Sequence, residues 1–161
     1  MAIVHARIDE RLIHGQVAMV WTNTVGATRI AVVNDEAVKD EMIIAGLKMA
    51  KPAGVKLSIL SKKKAVEKFQ SDVYDNDKVF LITKNLQDME FLVENGVKTG
   101  TINVGNIAKR EGSTQIKKSV YVTKEDIDSI HHLIDKGIRV TAQMIPAESD
   151  QSIIEYLPKI T

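Results

Sequence analysis

Short apolar runs alternate along this chain with stretches in which apolar residues recur every three or four positions. The first run, Ala2 to Ile8, holds Ile3, Val4 and Ile8 and stops at the charged cluster Asp9, Glu10, Arg11, as a strand feeding a loop does. After Gly15, the positions Val17, Val20 and Trp21, with Ala18 and Met19 between them, keep helical spacing until Asn23 and Gly26 break it. The continuous apolar run Arg29 to Val33, ending in Asn34 and Asp35, predicts a buried strand and then a helix cap, with a helix from about Val38 to Met49. Pro52 and Gly54 punctuate the chain before a third strand, Val55 to Leu60, and Ser61 caps a Lys-rich helix reaching Phe69. Lys78 to Thr83 is the fourth strand.

Asn85 caps the segment Leu86 to Glu94, which closes on Asn95 and Gly96, and Thr99 to Val104 makes a fifth strand. Between Gly105 and Gly112 the pattern lapses into a polar loop, and Gln115 to Val122 reads as short extended pieces outside the core sheet. Thr123 with Asp126 opens a helix that runs to Lys136 and ends at Gly137. Ile138 to Gln143 is the last strand, and Ser149 or Asp150 begins a final short helix ended by Pro158. Such alternation predicts an α/β fold: a single domain over residues 1–161 with an open, mostly parallel sheet and helices on both faces. In such sheets ligands sit beyond the carboxyl ends of the strands, so the strand-to-helix loops are the ones to inspect.

Composition narrows the chemistry. With 161 residues, 44% hydrophobic and 27% charged, the chain has an ordinary globular make-up. Its 22 Lys and Arg against 21 Asp and Glu leave a net charge of +1, no global field that would draw nucleic acid or an anionic membrane. Having no cysteine, it has no disulfide, no thiolate nucleophile and no thiolate metal site. No apolar stretch approaches the roughly 20 residues of a spanning helix, and Met1 to Arg11 lacks the pattern of a signal peptide. A cytoplasmic protein is expected.

The first strand-to-helix loop, Arg7-Ile8-Asp9-Glu10-Arg11-Leu12-Ile13-His14-Gly15-Gln16-Val17, is the most informative stretch. A histidine just before a glycine, at a helix start and after two arginines, stands where backbone N–H groups and guanidinium groups can surround an anion. A neutral imidazole nitrogen can attack phosphorus, and histidine, with its ordinary pKa of about 6.5, keeps a neutral fraction at cytoplasmic pH. The charge that spreads over the phosphoryl oxygens in flight needs only fixed donors to hold it. Gly15 allows close backbone approach. Taken alone, the bland alternative is a helix-capping histidine beside a solvated charged turn.

This segment resembles the phosphorylation motif of IIB components in the mannose, fructose and sorbose family of sugar phosphotransferase systems, following R-I-D-x-R-L-I-H-G-Q-V throughout. The similarity extends to Val32-Val33-Asn34-Asp35 and to Ile102-Asn103-Val104-Gly105, with a departure at Asn106, where the family has a second glycine. The resemblance implies that His14 is the phosphorylated residue, with Asp9 and Arg11 as the charged positions of its loop. It implies a phosphorylated IIA protein as donor, membrane IIC and IID components as partners holding the sugar, and peripheral association with the inner face of the membrane. No cofactor, metal or nucleotide is implied. The chain would be a freestanding IIB, and a homo-oligomer is compatible. A regulatory or binding module of the same fold is the competing reading.

Arg7, Arg11, Lys109 and Arg110 are expected to form a cationic surface around His14 that meets an acidic face of the donor. The Lys109 to Thr114 loop should lie at the same sheet edge as His14. His5, alternating with apolar neighbours in the first strand, reads as structural, His131 and His132 lie within a helix without a completing ligand set, and Lys62, Lys63 and Lys64 read as a solvated helix face.

Overall fold

The protein is described by a computed structural model covering residues 2–157. Its strands are β1 (Ile3–Asp9), β2 (Arg29–Val33), β3 (Lys56–Leu60), β4 (Val79–Thr83), β5 (Thr101–Asn106), β6 (Thr114–Lys117), β7 (Val120–Val122) and β8 (Arg139–Ala142). The α-helices are α1 (Gly15–Val25), α2 (Glu41–Ala50), α3 (Lys62–Gln70), α4 (Leu86–Glu94) and α5 (Lys124–Asp135). Six strands form one sheet in the order β3-β2-β4-β1-β5-β8, with every pairing parallel. β6 and β7 make a separate antiparallel pair, in keeping with the short extended pieces expected there.

The two-residue alternation of the strands sorts the core into two layers. Ala6, Ile8, Ala31, Val33, Val79, Leu81, Ile102, Val104, Val140 and Ala142 face α3, α4 and α5 through Ala65, Leu86, Met89, Ile130 and Leu133. Ile30, Val32, Phe80 and Ile82 face α1 and α2 through Ala18, Trp21 and Leu47. Helices therefore cover both faces. On the α1 and α2 side, however, β1, β5, β8 and the residue after β8 carry His5, Arg7, Asn103, Thr141 and Gln143 in place of apolar residues.

Two boundaries differ from the sequence pattern. The helix expected from Val38 is split: Ala37–Lys39 is a 3-10 turn. Asp40 then turns extended and caps α2 by accepting from the N–H groups of Met42 and Ile43 at 2.9 and 3.2 Å. The last helix is a 3-10 turn, Ile153–Tyr156, capped by Ser152 rather than by Ser149 or Asp150. Its expected end at Pro158 lies outside the described residues.

The first helix is pinned to the first strand by an aromatic stack. His5 lies on Trp21 with ring centroids 4.2 Å apart and planes 16° from parallel. Its Nε2 is buried and has no hydrogen-bond partner among the described residues. Burial first, and the neighbouring Arg7 charge second, lower its pKa from 6.5 to about 4. The unfolded chain binds that proton near pH 6.5 and the folded chain only near 4, so the unfolded state binds more protons in between. Stability contributed by neutral His5 is therefore complete above pH 6.5 and falls as the pH drops toward 4, by roughly 3 kcal/mol at the limit. Denaturant titrations of the wild type and of His5→Phe between pH 7 and 4 should show the pH slope shrinking in the variant. Parallel slopes would contradict a neutral buried His5.

Candidate active site

The chain leaves β1 through α1 toward β2 on one side, and leaves β5 through α5 toward β8 on the other, although β1 and β5 are neighbours. That reversal opens a crevice at the carboxyl ends of these two strands, where open α/β sheets place ligands. The loops that follow the two strands are stitched together. Glu10 N–H donates to the Asn106 carbonyl at 3.0 Å, and the Glu10 carboxylate accepts from Ala108 N–H at 2.7 Å. The Lys109 loop thus shares the edge of the His14 loop, as expected.

Asp9 organises the first loop. Its carboxylate, 3% exposed, accepts from Arg7 Nη2 at 3.2 Å and from Arg11 Nη2 at 2.9 Å. It also accepts from the Arg11 backbone N–H and from Arg11 Nε, each at 3.0 Å. Arg7 is 1% exposed. Its Nη1 donates to Asn103 Oδ1 at 2.6 Å and to the Gln143 carbonyl at 2.9 Å, and its guanidinium lies 5.6 Å from the Trp21 ring centre. Burial pulls the Arg7 pKa down, and Asp9 opposes the shift. Gly105 makes the arrangement possible, because a Cβ there would overlap the Arg7 guanidinium.

Between Asp9 and α1 the backbone takes a tight path. Leu12 adopts φ 61°, a left-handed conformation uncommon for a branched side chain. Its N–H donates to the Asp9 carbonyl at 2.8 Å, and Leu12 and Ile13 bury their side chains in the α1 and α2 layer, which offsets the backbone strain. His14 is then the N-cap residue of α1. Its carbonyl accepts from Ala18 N–H at 2.8 Å, but its side chain makes no cap bond and the residue is exposed. α1 has no acidic residue in its first turn, whereas α2 and α4 carry Glu41 and Asp88 there and α5 carries Glu125 and Asp126. The N-terminus of α1 thus presents an unengaged imidazole beside N–H groups, including that of Gly15, with no local carboxylate competing for them.

Arg11 and Asp9 are bonded to each other in the loop between β1 and α1, and His14 closes that loop as the N-cap of α1. The expected cationic surface does not form. Arg7 is buried and cannot present charge to a partner, because its donors are spent on Asp9, Asn103 and Gln143. Arg110 pairs with the buried Asp126 of the α5 capping box, facing a cleft of about 480 Å³ shared with Lys84 and Asn85. Lys109 alone of the four is exposed and makes no ion pair among the described residues, and Arg11 is committed to Asp9. Lys62 is likewise engaged, at 3.6 Å from Asp88. His132 pairs with Glu90, which raises its pKa. Sequence reasoning missed Asn103, Gln143 and Trp21, which come from β5, the segment after β8 and α1, and read Glu10 as part of a solvated charged turn.

An open parallel α/β sheet with an exposed histidine beyond β1 defines a doubly wound domain whose ligand edge lies at the carboxyl ends of β1 and β5. The comparisons narrow this class. The family described as "PTS system sorbose subfamily IIB component" matches residues 3–160. The sorbose-specific EIIB component of Klebsiella pneumoniae is 34% identical, over 98% of this chain and 96% of the relative. The fructose-specific EIIB component of Bacillus subtilis is 36% identical, over 100% and 99%. The mannose-specific EIIAB component of Escherichia coli is 36% identical over 99% of this chain but 50% of its own length. The solved IIBSor domain of the Klebsiella pneumoniae sorbose permease superposes with a TM-score of 0.93 at 34% identity, covering 97% of this chain and 96% of that one. The chain belongs to the sorbose-subfamily IIB components of sugar phosphotransferase systems, and it is a phosphotransferase.

Gly105→Ala should force the Arg7 guanidinium out of its buried seat and lower unfolding free energy by about 1–3 kcal/mol, as overpacking does. Chemical denaturation measures it. Wild-type stability in the variant would contradict the close packing of Arg7 on Gly105.

Proposed function

We propose that His14 is the residue that carries the phosphoryl group, receiving it from a phosphorylated IIA protein and passing it to a sugar held by membrane IIC and IID components. The carrying observation is the exposed, uncapped imidazole at the N-terminus of a helix whose first turn holds no acidic residue. In the first step a neutral ring nitrogen of His14 attacks the phosphorus as the bond from phosphorus to the donor nitrogen breaks, leaving the donor free. In the second, a sugar hydroxyl attacks the same phosphorus as the bond from phosphorus to His14 breaks, and the proton lost by the hydroxyl is balanced by the one the released imidazole takes up. Both are in-line displacements that need positioning and charge stabilisation more than covalent help.

Arg11 supplies a fixed guanidinium beside the loop. Asp9 holds its Nε and one Nη, so the remaining donors keep one orientation without reorganisation when phosphoryl charge arrives. Among the described residues no helix is long and apolar enough to cross a membrane, which suits a domain that docks against membrane partners. The named relatives act in sorbose, fructose, mannose and N-acetylgalactosamine systems, so the sugar belongs to the hexose and hexosamine class.

Incubation with phosphorylated IIA should add one acid-labile, alkali-stable phosphoryl mass to the His14 peptide. His14→Gln should abolish that mass and leave the unfolding midpoint within measurement error, because the side chain is exposed. A His14→Gln protein that still accepts phosphate at the wild-type rate would end the proposal. Arg11→Lys loses the fork and should slow transfer at saturating donor by about a hundredfold, the usual loss for one preorganised donor. Rapid-quench kinetics distinguishes this from an ordinary surface ion pair with Asp9, for which transfer would be unchanged.

A further inference from the structure

Beneath α1 and α2 the apolar layer of the sheet comes from β2, β3 and β4. Beyond β4 the same face turns polar. In the sheet register Arg7, Asn103 and Thr141 form one row across β1, β5 and β8, and Thr101 and Arg139 pair on a row before it. Asn103, Thr141 and Arg139, with His5 of β1, floor a cleft of about 320 Å³. Its walls are the second half of α1, through Trp21, and the segment after β8, through Gln143 and Asp150. Asn103, Thr141 and Gln143 are buried polar residues where the rest of this face is apolar. Holding Arg7 accounts for Asn103 and for the Gln143 backbone. It does not account for the Thr141 hydroxyl, which accepts from Asn103 at 3.3 Å and keeps its own proton without an acceptor among the described residues, nor for the Arg139–Asp150 pair at the rim.

We infer that this cleft is a binding site for a small neutral polyol, of the size and chemistry of a free, unphosphorylated hexose. Charge, polarity and volume each narrow the ligand. Arg139 and Asp150 are the charged side chains of the lining, and they pair at 3.2 Å, while His5 is neutral. No free charge is left to hold an anion. An apolar ligand would displace water from Thr141 and Gln143 and return no hydrogen bond, which is costly for buried polar groups. A polyol returns them, because each hydroxyl both donates and accepts. Its C–H groups can lie against Trp21 and His5, whose rings stack 4.2 Å apart. The volume falls at the lower end of the range of about 300–1,000 Å³ typical of small-ligand pockets. The cleft is separate from His14, since Trp21 stands seven residues further along α1, about 10 Å of helix rise. It lies behind the seat of Arg7, because Asn103 and Gln143 belong to both. An occupied cleft therefore braces the residues that hold Arg7 beside Asp9. The inference goes beyond the proposed phosphoryl transfer and does not depend on it.

The test uses the whole, unphosphorylated protein, with mannose, fructose and mannose 6-phosphate as probes. Trp21, the chain's single tryptophan, reports occupancy through its emission, and saturation-transfer NMR reports direct contact between sugar and protein. Thr141→Val removes the floor hydroxyl at nearly constant volume. Asp150→Ala breaks the rim pair at an exposed position where folding is not at stake. Mannose or fructose should change the emission saturably, with a Kd in the millimolar range, and each variant should weaken that binding by about tenfold. Mannose 6-phosphate should bind no more tightly than mannose. An emission that only drifts linearly with sugar concentration, without saturation transfer, would overturn the inference and leave the cleft to ordered water. So would binding that either variant leaves unchanged, which places the sugar elsewhere. Tighter binding of mannose 6-phosphate would overturn it as well, because the site would then select an anion. No phosphoryl group is transferred in this experiment, so its failure leaves the role of His14 untouched, and a failure of that role leaves the cleft untouched.

Discussion

The active edge of this protein depends on one buried carboxylate. Asp9 stands at the end of β1 and accepts four hydrogen bonds, one from Arg7, three from Arg11. A buried carboxylate between two guanidiniums is tolerable only when paired and bonded on most sides, since desolvation of a lone charge exceeds what loose contacts return. Each partner is therefore fixed by a further element. β5 supplies Asn103 and the side-chain-free Gly105, the segment after β8 supplies the Gln143 carbonyl, and α1 lays Trp21 against Arg7. Each of them helps hold Arg7, and through it the loop that ends at His14.

The same constraint explains what could be read from the sequence. Strand and helix order was legible because two periodicities alternate cleanly, and both faces of the sheet are apolar over β2 and β4. The histidine loop was legible because its residues are contiguous. The burial of Arg7 was not, since an arginine at position 7 looks like any surface charge until Asn103, Gly105 and Gln143 are folded around it, 96 to 136 residues further along the chain in the two hydrogen bonds involved. The break at Asp40 and the 3-10 character of Ile153–Tyr156 were hidden for the converse reason, as local side-chain caps overrode a pattern that would have continued the helix.

Arg7, Arg11 and Arg110 are held by internal carboxylates, which orients their donors, while α1, the helix that His14 caps, carries no charged residue. Fixed donors of this kind hold one orientation at the reacting edge without reorganising when negative charge arrives.

The most direct measurement of this account is the transfer rate from phosphorylated IIA to Asp9→Asn, which keeps the volume of the side chain and leaves His14 intact. If Asp9 holds the guanidiniums and the loop in their working arrangement, single-turnover transfer at saturating donor should fall by about a hundredfold or more, with a loss of unfolding free energy of about 3 kcal/mol from the buried cation left unpaired. Transfer at the wild-type rate in Asp9→Asn would contradict the claim that this carboxylate governs the site.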